Sequence, residues 1–132
     1  MENQSPRIDG YHAHVYYEPS TTRPTAEKLA ETISQKFAVE IGGFFDEPVG
    51  PHPVANLAIF FAVTEFAAVV PWLMQNRNRL NVLVHPLTDN SVRDHQDDGL
   101  WLGAPVRLRL HRMQPGYTPD LLPSTSSKEQ GN

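Results

Sequence analysis

Apolar and polar positions alternate along the chain with two different periods, and the changes of period mark its elements. Residues 10–17 (GYHAHVYY) mix aromatic and β-branched residues at period two and read as a first strand. Pro24 suits the first position of a helix, and Ala26, Leu29, Ala30, Ile33 and Phe37 follow at helical spacing. Residues 38–45 read as a second strand, with Gly42–Gly43 marking a bulge. After the loop EPVGPHP, residues 55–63 (ANLAIFFAV) are apolar at both parities, as in a strand buried on both faces. Thr64 is a suitable N-cap for a second helix whose stripe is Phe66, Val69, Val70 and Leu73, and Pro71 within it predicts a kink or a later start. Leu80–Leu87 reads as a fourth strand and residues 88–100 as a polar loop. Val106, Leu108 and Leu110 alternate with Arg107, Arg109 and His111, which predicts a short final strand with one wet face.

The order β-α-β-β-α-β plus an extra strand is an α+β, ferredoxin-like pattern: an antiparallel sheet with both helices on one face. The first strand is then central, between the third and the fourth. Residues 9–114 make up the domain. Residues 1–8 predict a disordered N-terminus, and the Pro-, Ser- and Gly-rich residues 115–132 a flexible tail. The face opposite the helices is bare in a monomer of this plan, so the two-sided apolar strand at 55–63 predicts a homodimer packed sheet against sheet.

Composition narrows the function. With 132 residues the chain holds one domain with a core of its own. The net charge is −4 and no basic stripe appears, which gives nucleic acid and anionic membranes no purchase. There is no cysteine, so a disulfide framework and thiolate metal sites are both excluded. The segment MENQSPRIDG lacks the apolar region of a signal peptide, and the run LAIFFAV at 57–63 falls far short of the ~20 residues of a membrane span. These features predict a soluble cytoplasmic protein.

The chemistry gathers in histidines: His12, His14, His52, His85, His95 and His111. On a strand, residues i and i+2 leave the backbone on the same side. Ala13 and Val15 suit the helix side of the sheet, so His12, His14 and Tyr16 face the other way. In the fourth strand Val82 and Val84 suit the helix side, so Leu83 and His85 share the histidine side. The fourth strand runs antiparallel beside the first, which brings His85 close to His12. His52, in the stiff stretch Gly50-Pro51-His52-Pro53, reaches the same face when its loop folds inward. His95 lies in the polar loop. Neutral imidazole is the common nitrogen ligand of first-row metals, and three histidines, or two with a carboxylate, leave positions open for substrate and dioxygen.

A plainer reading stands beside each of these. His111 continues the wet face of Arg107 and Arg109. The pair His12–His14 alone is a weak sign, strengthened by His85 on the matching face. Tyr11, Tyr17, Phe60 and Phe61 suit a core, and Trp101 an anchor that closes the polar loop. Asp94, Asp97 and Asp98 read as a solvated loop face more than as ligands. Arg77 and Arg79 sit where a helix C-terminus favours cations, although one of them could also meet a substrate carboxylate.

Four motifs in order resemble the DOPA 4,5-dioxygenase family: HxHxYY (His12, His14, Tyr16, Tyr17), GPHP (Gly50 to Pro53), HPLT (His85 to Thr88), and Asp94-His95 followed by Trp101-Leu102-Gly103. The resemblance covers about residues 8–112. It implies a ferredoxin-like fold, a non-haem iron(II) centre and extradiol cleavage of L-DOPA or a related catechol such as caffeate. Zinc or nickel can displace the iron in purified protein. The chemistry asks for a metal with at least two adjacent open positions and a nearby acid–base group, which a histidine outside the ligand set can supply. His12, His14 and His85 are the expected ligands, with His52 and His95 as acid–base or supporting groups; His52 and His12 are open to an exchange of roles. Competing readings are a dimeric ferredoxin-like ligand-binding module or cofactor-free monooxygenase, and a zinc hydrolase or structural zinc protein.

Overall fold

The structure, a computed structural model, describes residues 7–113. The ends expected to be disordered, 1–8 and 115–132, lie outside the described residues apart from Arg7 and Ile8. Five strands form one antiparallel sheet: β1 (Tyr11–Tyr16), β2 (Val39–Phe45), β3 (Asn56–Phe61), β4 (Val82–Pro86) and β5 (Leu100–Leu102), in the spatial order β2-β3-β1-β4-β5. Three helices join them: α1 (Arg23–Lys36), α2 (Phe66–Asn76) and α3 (Ser91–His95). This is the expected α+β, ferredoxin-like arrangement, with β1 paired to β3 on one side and β4 on the other.

Parity divides the sheet into two faces. Ala13 and Val15 of β1, Leu57, Ile59 and Phe61 of β3, and Val82 and Val84 of β4 form one buried apolar cluster with Ala26, Leu29, Ala30 and Ile33 of α1 and Val69, Val70 and Leu73 of α2. The helix residues recur at three- and four-residue intervals, so each helix turns one stripe to the sheet. Pro24 sits in the first turn of α1, where its missing N–H costs nothing. The register of β2 on β3 slips between Ile41 and Gly43, at the expected bulge.

Several local expectations are corrected. Thr64 does not cap α2: a 3-10 turn, Val63–Glu65, leads into the helix, and Glu65 holds the cap position without a side-chain bond. Helix α2 runs through Pro71. The carbonyl that proline leaves without a partner belongs to Ala67, and both residues are exposed, so water can serve it. The polar stretch 88–100 is not all loop. Asn90 caps α3 by accepting a bond from the Arg93 N–H at 3.1 Å, and the chain then enters β5. The last strand is therefore Leu100–Leu102, paired with Val82–Val84 of β4, and not 106–110. Gly103 takes a φ of +86° and Pro105 follows, which ends the ladder. Beyond it, the Arg109 N–H donates to Pro51 O at 2.7 Å, so this segment is tied to the loop after β2. Alternating apolar residues also suit an extended segment that pairs with no strand.

Nor is the face opposite the helices bare. On that face of β3, Asn56 and Ala58 are buried within a single chain and Phe60 is half-buried. Residues 46–55 and α3 bring His52 and His95 onto that face. The two-sided apolar strand therefore does not by itself require a partner subunit. Among the described residues no helix is long and apolar enough to cross a membrane.

Candidate metal centre

The far face carries His12, His14 and Tyr16 from β1, Asn56 and Ala58 from β3, and Leu83 and His85 from β4. His12 and His85 are direct cross-strand partners, as the alternation required. His52 and His95 arrive from outside the sheet. All five histidines are at most 4% exposed.

His52 is delivered by a tight turn. Val49 and His52 exchange backbone bonds at 3.1 and 2.9 Å around Gly50–Pro51. Gly50 has a φ of +55°, a conformation that glycine enters without strain. The His52 ring then lies 4.0 Å from that of His14, centroid to centroid, and its Nδ1 is 2.7 Å from the Tyr16 hydroxyl. The inward fold of this loop is what the sequence reading required of His52.

His95 is delivered by α3. Asp94, one residue earlier, is buried and anchors the helix: it accepts bonds from the Thr88 N–H, at 2.9 Å, and from the Thr88 hydroxyl. That corrects its reading as part of a solvated loop face, which Asp97 and Asp98 do fit. Gly99 permits the close approach, since a Cβ there would stand 3.0 Å from both His95 O and Leu83 Cδ1. The His95 ring reaches 3.9 Å from that of His85 and 5.5 Å from that of His52.

The outer bonds of the rings settle their protons. His85 Nδ1 lies 2.9 Å from Pro86 O, and His95 Nδ1 lies 2.7 Å from Ser91 O. A carbonyl only accepts, so both Nδ1 atoms carry hydrogen. His14 Nδ1 is 3.0 Å from Asn56 Oδ1. The amide of Asn56 is oriented by its Nδ2, which donates to Val54 O at 3.3 Å, so Oδ1 faces the ring and His14 Nδ1–H donates to it. In the neutral rings Nε2 of His14 and of His85 are therefore both lone-pair nitrogens, yet they stand 3.0 Å apart. With these tautomers neither donates to the other, and the arrangement suits a cation or a proton shared between them. Two nitrogens each about 2.1 Å from one ion stand about 3.0–3.4 Å apart at octahedral or tetrahedral angles. A donated outer N–H is also how ligating imidazoles are held.

His14 belongs to two overlapping trios, His12–His14–His85 and His14–His52–His95, in each of which one nitrogen per residue lies within 4.8 Å of the others. The donor set, all neutral imidazole with no thiolate, fits a borderline metal such as iron(II), zinc or nickel. His111, read as a wet-face residue, is exposed and outside the cluster.

Two members were missed as functional. Asn56 is fully buried and orients His14. Its sign was available, a lone amide opening an apolar strand on the parity of the histidine face. Tyr16 was placed on that face but given no task. Its ring stacks on Trp101 at 5.9 Å, and burial pushes its phenol far above the ordinary range, so the hydroxyl stays protonated. Trp101 thus closes the face from β5, and does not merely anchor a loop.

Fold and cluster together define a small α+β protein with a buried histidine cluster able to hold a metal ion. A profile of the Dopa 4,5-dioxygenase family matches residues 11–112, and the chain belongs to that family. It is 34% identical over 111 residues to an uncharacterized 21.2 kDa protein of Botryotinia fuckeliana, covering 76% of this chain and 61% of that one. It is 32% identical over 111 residues to the DOPA 4,5-dioxygenase of Amanita muscaria, covering 78% and 49%. The chain thus spans 61% and 49% of the length of these two curated relatives. The crystal structure of a candidate dioxygenase from Nostoc punctiforme matches with a TM-score of 0.77 and 43% identity, over 80% of this chain and 90% of that one.

Proposed function

We propose that this protein is an extradiol ring-cleaving dioxygenase that uses iron(II) and O₂ on L-DOPA or a related catechol. The observation that carries this reading is the pair of facing Nε2 lone pairs on His14 and His85, 3.0 Å apart at the centre of a buried histidine cluster. In this reading His12, His14 and His85 hold the metal, and His52 and His95 carry protons. A bound iron(II) ion supplies one point at which both catechol oxygens and O₂ meet.

The chain's own residues do the remaining work. His95, its Nδ1–H fixed on Ser91 O, presents Nε2 as a base for a catechol hydroxyl proton. His52 differs from the other rings because its outer partner is a hydroxyl, which both donates and accepts. With the Tyr16 oxygen accepting from Nδ1–H, neutral His52 takes a proton at Nε2, becomes imidazolium and returns the proton from the same atom. The Tyr16–Trp101 stack and α3 exclude water from the cluster. The other trio, His14–His52–His95, puts His52 and His95 in the places of His12 and His85, and metal content of His12→Ala against His52→Ala separates the two divisions.

The test is to load the protein anaerobically with iron(II), add L-DOPA, caffeate or protocatechuate in air, and follow oxygen and absorbance together. The expected result is about one O₂ consumed per catechol, as the stoichiometry of dioxygen insertion requires, and a yellow semialdehyde product. Absence of oxygen uptake with every catechol would remove the reading.

A further inference from the structure

Arg109 carries a charge that the described residues leave unanswered. Its Nε and Nη2 are shut off from solvent and have no hydrogen-bond partner among those residues. Shielding a guanidinium from water without a partner is costly, and such a group is normally completed by an anion. The two atoms are not an arbitrary pair. Nε–H and the neighbouring Nη2–H lie along one edge of the planar guanidinium, the edge that takes both oxygens of a carboxylate in parallel.

The backbone brings Arg109 beside the turn that carries His52. The Arg109 N–H donates to Pro51 O at 2.7 Å, which ties the segment after β5 to the turn that carries His52. One residue on, the His52 ring lies 4.0 Å from that of His14. The failure of residues 106–110 to join the sheet is what puts Arg109 here: as a sixth strand it would stand on a solvated face.

We propose that Arg109 is the carboxylate-recognition residue of this site, and that the site selects phenolic acids over uncharged phenols, with the ring toward the histidine cluster and the acid group on the Nε–Nη2 edge. The assignment rests on the ring-cleavage reading for its ligand class, but its test does not depend on turnover. The probes are 4-hydroxycinnamate and its methyl ester, which have one phenolic oxygen and cannot undergo catechol cleavage. Binding is followed by calorimetry and by tryptophan fluorescence, using the full chain.

Wild type should bind the acid at least about tenfold more tightly than the ester, in line with a charge-assisted bidentate pair. Arg109→Gln should bind the two alike, and Arg109→Lys should recover part of the preference. Without ligand, Arg109→Gln should melt at or above the wild-type temperature, because an unanswered buried charge has gone. Equal binding of acid and ester by wild type overturns the proposal, and needs no variant to be seen. So does an acid preference that survives in Arg109→Gln.

Turnover then separates the two readings. With iron-loaded protein, Arg109→Gln should raise KM for caffeate about tenfold, with kcat within about threefold and 4-methylcatechol unaffected. A wild type that shows the acid preference but cleaves no catechol refutes the dioxygenase reading and leaves Arg109 in place. One that cleaves catechols with no acid preference does the reverse.

Discussion

The two faces of one sheet are buried to a similar degree by different means. On the helix side, Ala13, Val15, Leu57, Ile59 and Phe61 meet two amphipathic helices, and burial is contact between carbon atoms. On the histidine side, five imidazoles and Asn56 are buried under a tight turn, a five-residue helix and β5, and nearly every contact is directional. An apolar face tolerates rearrangement if volume is kept. A polar one works only if each hydrogen has a receiver, and the receivers here are Pro86 O, Ser91 O, Asn56 Oδ1 and the Tyr16 hydroxyl. The helix side thus secures the fold, and the histidine side spends its order on fixing which nitrogen faces inward.

The widest separation between the faces should come from one substitution on each. His14→Ala removes the residue shared by both trios, so iron bound per chain should fall from near one to a trace while the protein still folds. Leu73→Ala, in the fully buried stripe of α2, should cost about 2–5 kcal/mol of stability and leave the iron content of the folded protein unchanged. Metal analysis and denaturant titration on both variants read this crossing pattern. A variant that loses both properties together would show the faces to be one cooperative unit. His111→Ala, exposed and off the cluster, is the control.

A second pair of changes stays within the histidine side. Replacing His52 and His95 together with Gln should lower turnover by about 10²–10⁴, the usual range for lost acid–base help, with iron still bound. Iron lost in proportion to activity would make these two the ligands and move His12 and His85 outward.

Smaller again is the effect of the residue behind a ligand. Asn56→Leu keeps side-chain volume but leaves His14 Nδ1–H without its receiver, so the ring no longer holds one tautomer. Iron affinity should fall about 10–100-fold, the range for second partners of ligating imidazoles, with stability less affected than in Leu73→Ala. An unchanged affinity in a competition titration would mean that the strand alone orients His14.

How much of this was legible follows the same division. Strand parity is a local rule, so the chain itself placed His12 and His14 opposite Ala13 and Val15, and His85 beside His12. The sheet order followed from the element pattern. Asp94 and the last strand were misread for one reason. A polar stretch with few apolar residues looks solvated, while Asp94 is buried by its bonds to Thr88, a contact that exists only once β4 and α3 meet. The alternation at 106–110 is genuine, but it does not say whether a strand edge is free to receive it; Gly103 and Pro105 turn the chain away first. The partnerless edge of Arg109 is of the same kind, since an absence of partners can be seen only when every neighbour is in place.

The smallest effect sits where the faces diverge within one dipeptide. Tyr16 points to the histidines and Tyr17 to the helix side, where its ring joins the core while its hydroxyl donates to Asp46 at 2.6 Å. Arg23 donates to the same carboxylate oxygen at 2.6 Å. Burial, and then the Asp46 carboxylate that its proton bonds, push the Tyr17 phenol up to about 12. The bond from Tyr17, with help from Arg23, holds Asp46 below its ordinary value. The signs are opposite. A raised phenol stabilises the fold fully below its unfolded value near 10, and loses that contribution as pH climbs from there through about 12. A lowered carboxyl stabilises the fold above its unfolded value near 3.8, and loses that contribution as pH falls through the folded value. Tyr17→Phe should therefore be less stable than wild type at neutral pH, and its deficit should shrink between pH 10 and about 12, the window over which wild type gives up the phenol's contribution. On the acid side the variant should lose less stability than wild type below pH 4, because Asp46 no longer has the hydroxyl to lose. Urea titrations at pH 3, 7 and 11 measure all three points. Parallel curves for the two proteins at every pH would mean that the hydroxyl of Tyr17 is not coupled to Asp46, and that the helix side, to its edge, is held by carbon contacts alone.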